Sequence, residues 1–399
     1  MQFMIESSPT PIYNRLAMSI VSALKKLGHE VHFIDPFEFD HETFVKVINN
    51  IAIDYYISTN DNNFINQLNP VTGKYLIEEV DKKIIIIHHD SSFYKPSEIQ
   101  ETQTYLQALI RHTDRFFHFF IETSNRKNFE NIGIRNCYDI THASEFSPSN
   151  DIANESFQHG LSFVGHLMSS LNAYPADSLH VNHHMFAMAW QRTAHATFPI
   201  QPEIWALLND PNFRRKFSTD QFHNLATFQF LMHEVTKLSM AYRGELIGKI
   251  NNFDIAIYGG DLSHGRIDNP LMKIQKGNVQ YLPATADYQT TQSIYQNSKI
   301  NINLSSLQFD TAINNRIIDI VMAGGFVITD KRSALIELCP SCAEISFDSP
   351  EEMQYLIDYF MHPAHFHKYQ QVKEAVFHEM KDQFTYERVI SKMLGQLTA

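Results

Sequence analysis

The sequence predicts an α/β protein of two parallel-sheet domains in tandem. Short, wholly apolar runs alternate with segments of helical periodicity, and this alternation occurs twice, on either side of a polar stretch near residues 148–156. Strands buried on both faces read as continuous apolar runs, and the helices between them cover the faces of a parallel sheet. A hydrophobic content of 44% against 19% charged residues is that of a folded chain, and 399 residues suffice for two cores.

QFMIE at residues 2–6 opens as a strand. Leu16, Ile20, Leu24 and Leu27 then recur at helical spacing, and Gly28 closes that helix. HEVHFID, AIDYYIS, KIIIIHH, RFFHFFI and NCYDIT are the following strands, with room for helices between them. These make a first domain at residues 1–150. LSFVG starts the second, at 157–383, whose residues from about 170 to 245 read as a helical insert rich in aromatics and histidines. FDIAIYGG, NVQYLP, KININL, GFVITD and EISF restore the strand rhythm. A last helix, at 384–399, is expected to return to the first domain.

Parallel sheets bind ligands beyond the carboxyl ends of their strands. Two in tandem place a crevice between the domains, lined by the loops that follow strands. Lys299, which opens its strand, is excluded on this ground.

The net charge of −12, from 44 acidic and 32 basic residues, speaks against nucleic acid and anionic membrane as partners. Three cysteines make no disulfide framework, and no basic segment precedes an apolar one at the amino terminus, so a cytoplasmic protein without a membrane span is expected. Cys339-Pro-Ser-Cys342 lacks a second ligand pair for zinc, and His180, His183 and His184 lack a completing set. Neither GxGxxG nor GxxxxGK[ST] occurs, which leaves dinucleotide oxidation and P-loop hydrolysis without their signatures. No Asp-x-Asp occurs either, which points to metal-independent chemistry.

The segment Tyr295–Asp330 carries the chemistry. A strand ends near Leu304, a Ser-rich loop with Ser306 follows, and a helix starts near Asn314 and Asn315 before Gly324 and Gly325 stop it. Free N–H groups and the dipole at a helix start make a place for a diphosphate. Arg316 falls in the first turn, where a positive side chain is unfavourable unless an anion binds. Asp319 lies three residues on, on the same face. Arginine for phosphate and a carboxylate for ribose hydroxyls form a chemically sensible pairing.

This stretch resembles the carboxyl-terminal half of glycosyltransferases related to the spore-maturation protein CgeB. The likeness is carried by Ser298, Lys299, Ile300, Ile302 and Asn303, then Arg316, Asp319, Ala323, Gly324 and Gly325. Ile318 and Met322 depart from the pattern at packing positions. LSFVGHL and EISFDSPEEMQYLIDYFMHP extend the likeness.

The resemblance implies a GT-B architecture, two Rossmann-like domains facing a central cleft, with a UDP- or GDP-linked sugar as co-substrate and no permanent cofactor. It implies that Asp319 binds the ribose, and that Arg316 with the helix start holds the diphosphate. Tyr258, Gly259, Gly260 and Arg266 line a loop after a strand where bare backbone approaches the ligand. Leu282 and Pro283 hold the base. The acceptor would be a hydroxyl of a glycan, lipid-linked molecule or protein. By analogy alone, transfer with retention is expected. A nucleotide-sugar epimerase, or a non-catalytic glycan- or partner-binding protein using the helical insert, are the alternatives.

In the first domain the strand-end loops carry Glu6, Ser7 and Ser8; Asp35; His88, His89 and Asp90; Glu122; His142 and Glu145. His89 and Asp90 follow the most apolar strand and are the candidates for taking the acceptor's proton.

Overall fold

The computed structural model describes all residues except 9, 61–63, 91–97, 149–155, 169–170, 172–182, 215–219, 260–273, 275, 286 and 399. It contains two six-stranded sheets in which every strand pairing is parallel. By its internal contacts the chain divides into a first unit, Met1–His142 with Ile204–His233 and Tyr386–Ala399, and a second, Ala143–Glu203 with Glu234–Thr385.

The first unit holds β1 (Gln2–Glu6), β2 (Glu30–Ile34), β3 (Tyr55–Ser58), β4 (Lys83–His88), β5 (Phe116–Phe120) and β6 (Cys137–Asp139), in the order β2-β1-β3-β4-β5-β6. Helices α1 (Pro11–Lys26), α2 (His41–Asn50), α3 (Leu76–Glu79), α4 (Ile99–Arg111) and α5 (Thr123–Asn131) connect them. Ile84–Ile87 and Phe116–Phe120 are buried throughout, as continuous apolar strands inside a covered sheet must be. The direction of the strand order reverses between β1 and β3. At such a switch point the crossover helices diverge and leave a crevice at the carboxyl ends.

The second unit is built on β7 (His159–Gly165), β8 (Ile255–Gly259), β9 (Val279–Leu282), β10 (Ser298–Asn303), β11 (Val327–Asp330) and β12 (Ser346–Phe347), in the order β12-β11-β10-β7-β8-β9. Its switch point falls between β7 and β10. The long connection from β7 to β8 carries α6 (His183–Ala194), α7 (Ile200–Asn209), α8 (Pro211–Arg214), α9 (Gln221–Lys237) and α10 (Ser239–Ile247). Then come α11 (Tyr288–Asn297), α12 (Asn315–Met322), α13 (Ser333–Leu338), α14 (Pro350–Met361), α15 (Phe366–Met380) and α16 (Tyr386–Leu397).

Every strand expected from the sequence has its counterpart here, and the stretch expected to be helical holds α6 to α10. Residues 204–233, expected with the second domain, cluster with the first unit instead. There Trp205 stacks on Phe228 at 4.6 Å, and Gln103 of α4 donates to Asp220 at 2.5 Å. Helix α16 belongs to the first unit beside α1, where Lys26 meets Glu387 at 2.5 Å. No described helix is long and apolar enough to cross a membrane.

Candidate functional site

The second unit gathers its polar groups at the switch point of its sheet. β10 and β7 run side by side, with Ile300 opposite Leu161 and Asn301 opposite Ser162, so Asn303, just before Leu304, and Gly165 end neighbouring strands. Helix α12 starts at Asn315, with Asn314 as its cap accepting from the Ile317 N–H at 3.3 Å. From the first turn Arg316 reaches back over the strand ends. Its Nη1 lies 3.4 Å from the Leu304 carbonyl and 3.5 Å from Asn303 Oδ1, and its guanidinium sits 5.4 Å from the centre of the Phe163 ring.

A second guanidinium converges on the same spot. Arg243, on α10, donates from Nε to the Leu304 carbonyl at 3.2 Å and from Nη1 to the His166 carbonyl at 3.5 Å. Burial, and next the nearby charge of Arg316, push Arg243 down to about 9, so it stays protonated at neutral pH. Two cations sharing one carbonyl repel each other and are poorly solvated. An anion beside them relieves both costs.

Backbone clears the space. Gly165 and Gly259 are paired across β7 and β8, at φ +147° and +119°. A Cβ on Gly165 would come within 2.9 Å of Arg316 Nη2, and one on Gly259 within 2.9 Å of the Gly165 carbonyl oxygen. Both positive φ values favour glycine, and at Gly259 a Cβ would also strike backbone.

Asp319 lies one turn along α12, partly buried, and accepts a hydrogen bond from the Ser144 hydroxyl at 2.7 Å. Behind the site the strand ends are fixed by Asp330, which is fully buried at the end of β11. Asp330 accepts from the Ser305 N–H at 3.0 Å and from its hydroxyl at 3.1 Å, and pairs with Arg332.

The other expected donor-site residues distribute less tightly. Asn315 is the first residue of α12. Ser306 is nearly buried and bonded to Ser239 at 3.0 Å, a tie between the loop and α10. The hydroxyl of Tyr258 bonds to His159 Nε2 at 2.7 Å, the residue that opens β7, so only its backbone belongs to the strand end. Leu282 ends β9, two strands from β7, and Pro283 after it is exposed. Gly260 and Arg266 lie outside the described residues. Sequence reasoning missed Arg243, hidden in a helical stretch without motif, and Ser144, which only topology brings to Asp319. The glycine of LSFVG was the available signal for Gly165.

The first unit has its own polar cluster at its switch point. Asp90, after β4, accepts from Asn60, after β3, at 3.1 Å, and from the hydroxyl of Tyr13 on α1. Burial first, then the charge of Asp90, holds the Tyr13 phenol far above its ordinary pKa, so it remains a donor. His89 stacks between Tyr13, at 6.3 Å, and His142, at 5.4 Å. Both ring nitrogens of His89 are buried without a hydrogen-bond partner among the described residues. Burial lowers His89 to about 4 and His142 to about 3, so both rings are neutral at pH 7.

His88 is committed to the core, bonded to His118 at 3.0 Å and stacked on Phe120. Glu6, fully buried, takes the Tyr56 hydroxyl at 3.0 Å; Asp35 takes that of Ser7 at 3.1 Å; and Glu122 takes that of Ser124 at 3.1 Å. These carboxylates support loops.

Two parallel sheets with these strand orders define the GT-B class of fold, the one the sequence led us to expect. The glycosyl transferase-like family matches residues 237–395, a span that contains Arg243, Arg316 and Asp319. Solved structures agree over the whole chain. T4 phage β-glucosyltransferase is similar at a TM-score of 0.55, 9% identity and full coverage of both chains. Anabaena HepE, solved with UDP and glucose, is similar at 0.52 and 10% identity, covering 100% of this chain and 99% of that one. Sucrose-phosphate synthase of Thermosynechococcus elongatus is similar at 0.53 and 10%, covering 100% and 98%. No curated protein matches the chain in sequence.

Proposed function

We propose that the protein is a glycosyltransferase that moves a sugar from a UDP- or GDP-linked donor to a hydroxyl acceptor. The observation that carries this is the convergence of Arg243 and Arg316 on the Leu304 carbonyl at the switch point of the second sheet, with Asp319 one turn along α12. In this reading the guanidiniums and the start of α12 hold the diphosphate, and Asp319 takes the ribose hydroxyls. Gly165 and Gly259 leave room for the ligand against bare backbone, and the base lies toward Leu282 and Pro283. As the glycosidic bond breaks, negative charge grows on the leaving diphosphate, where fixed cations lower the barrier without a metal ion. The neighbours solved with UDP and glucose support the ligand class, and the motif around Arg316 supports a CgeB-like subfamily. Three free thiols suit a reducing, cytoplasmic setting.

The first unit supplies the acceptor side. His89, whose ring nitrogens have no hydrogen-bond partner among the described residues, takes the acceptor hydroxyl's proton, and Asp90, held by Tyr13 and Asn60, orients that hydroxyl. A base carried by the chain serves an inverting displacement, in contrast to the retention expected by analogy; the anomeric configuration of the product decides between them.

Thermal-shift and calorimetric titration with UDP, GDP and their sugars test the donor reading. Arg243→Ala, Arg316→Ala and Asp319→Ala should each weaken nucleotide binding by about tenfold or more while the fold is kept. Normal binding by all three variants overturns the assignment, and sugar turnover without any acceptor would mark an epimerase.

A further inference from the structure

We infer that Ser144 is a positioning residue of the donor site: it aims the Asp319 carboxylate and thereby sets how strongly a ribose is preferred to a deoxyribose. The inference rests on the donor reading above and extends it to a residue outside the motif. Ser144 is 175 positions from Asp319 in sequence, yet its hydroxyl lies 2.7 Å from Asp319 Oδ1. The direction of that hydrogen bond is fixed by a second one. The N–H of Phe146 donates to Ser144 Oγ at 3.0 Å, which occupies the oxygen as an acceptor and leaves its proton for the carboxylate.

The donor is held rigidly. Ser144 is 5% exposed, its own N–H donates to the Phe384 carbonyl at 2.9 Å, and it forms a parallel bridge with Thr385. Phe146 is buried edge-on against Tyr288 at 5.1 Å and Tyr295 at 6.4 Å, which anchors the other side. Asp319 stands on the second turn of α12, and its side chain has several staggered settings. A charge-assisted hydrogen bond from a pinned hydroxyl selects one of them, and a ligand that binds the selected rotamer does not spend affinity on ordering it. A group that recognises a diol needs such a fixed carboxylate more than one that attracts a cation.

The test compares the affinities of UDP and GDP with those of their 2′-deoxy and 3′-deoxy forms, by calorimetry, for the wild type and for Ser144→Ala, Ser144→Thr and Asp319→Ala. The wild type should prefer the ribose forms by about tenfold, and Asp319→Ala should abolish the preference. Ser144→Ala should reduce it to about threefold or less, and Ser144→Thr, which keeps the hydroxyl, should restore it. A residue that merely stabilised the fold would weaken ribose and deoxyribose forms alike. If Ser144→Ala does not fold, Ser144→Cys, a weak donor of similar size, is read the same way. A wild-type preference in Ser144→Ala or Ser144→Cys, with the preference lost in Asp319→Ala, overturns the role of Ser144 alone. An unchanged preference in Asp319→Ala, or no binding of any of these nucleotides, overturns the donor reading and the inference with it.

Discussion

At the scale of single residues, the site depends on what is absent as much as on what is present. Gly165 has φ +147°, and a Cβ there would crowd Arg316 Nη2 at 2.9 Å. The guanidinium is the mobile end of a long side chain and would swing aside, so the cost falls on ligand binding as well as on backbone strain. Gly165→Ala should therefore raise the nucleotide dissociation constant by about tenfold, with only a modest loss of melting temperature. A calorimetric titration showing wild-type affinity would mean that the guanidinium need not stay where it is. The sequence exposed Arg316 and Asp319 because they stand three apart on one short helix beside a recognisable loop. It could not expose Arg243 or Ser144. Their relevance comes from which carbonyl and which carboxylate they reach, 61 and 175 positions away.

At the scale of elements, the connection between β7 and β8 is fastened to the second sheet by buried charge. Arg192 of α6 is 1% exposed and pairs with Asp310, whose carboxylate also accepts the Ile200 N–H at 3.0 Å and the Gln201 N–H at 2.8 Å. One carboxylate thus satisfies free donors at the start of α7 and neutralises a buried cation. Asp310→Ala removes both functions and leaves Arg192 charged and unpaired, a loss of about 3–5 kcal/mol in unfolding free energy. Denaturant titration measures it. The double variant Asp310→Ala, Arg192→Met should lose much less than the sum of its parts, because no charge is stranded. Helical periodicity made these elements legible as helices. It gave no sign of which sheet each would cover, because an apolar stripe fits any apolar face, and so the placement of residues 204–233 with the first unit was not readable.

At the scale of the whole molecule, the strands among the described residues were legible because central ones such as β4 and β5 are short, largely apolar runs that alternate with helical periodicity, whereas the histidines, scattered through the chain, look alike in sequence. The fold sorts them by burial, and this makes stability depend on pH. His89 and His142 have folded pKa values of about 4 and about 3, and His118 is also held well below its ordinary value, burial being the main cause for all three. An exposed histidine titrates near 6.5. Between these limits the unfolded chain binds protons that the folded chain refuses, so stability is fully present above about pH 6.5 and falls as the pH drops toward the folded values. Each buried ring contributes a slope of about 1.4 kcal/mol per pH unit within that window. Urea midpoints should therefore be flat from pH 8 to 7 and decline steeply from 6.5 to 5. His142→Phe, which keeps a stacked ring but cannot take a proton, should make that decline shallower by about one histidine's share. A midpoint independent of pH through this window would show that these rings are solvated in the folded protein. In that case His89, able to hold a proton near neutrality, would be a stronger base than its buried setting allows.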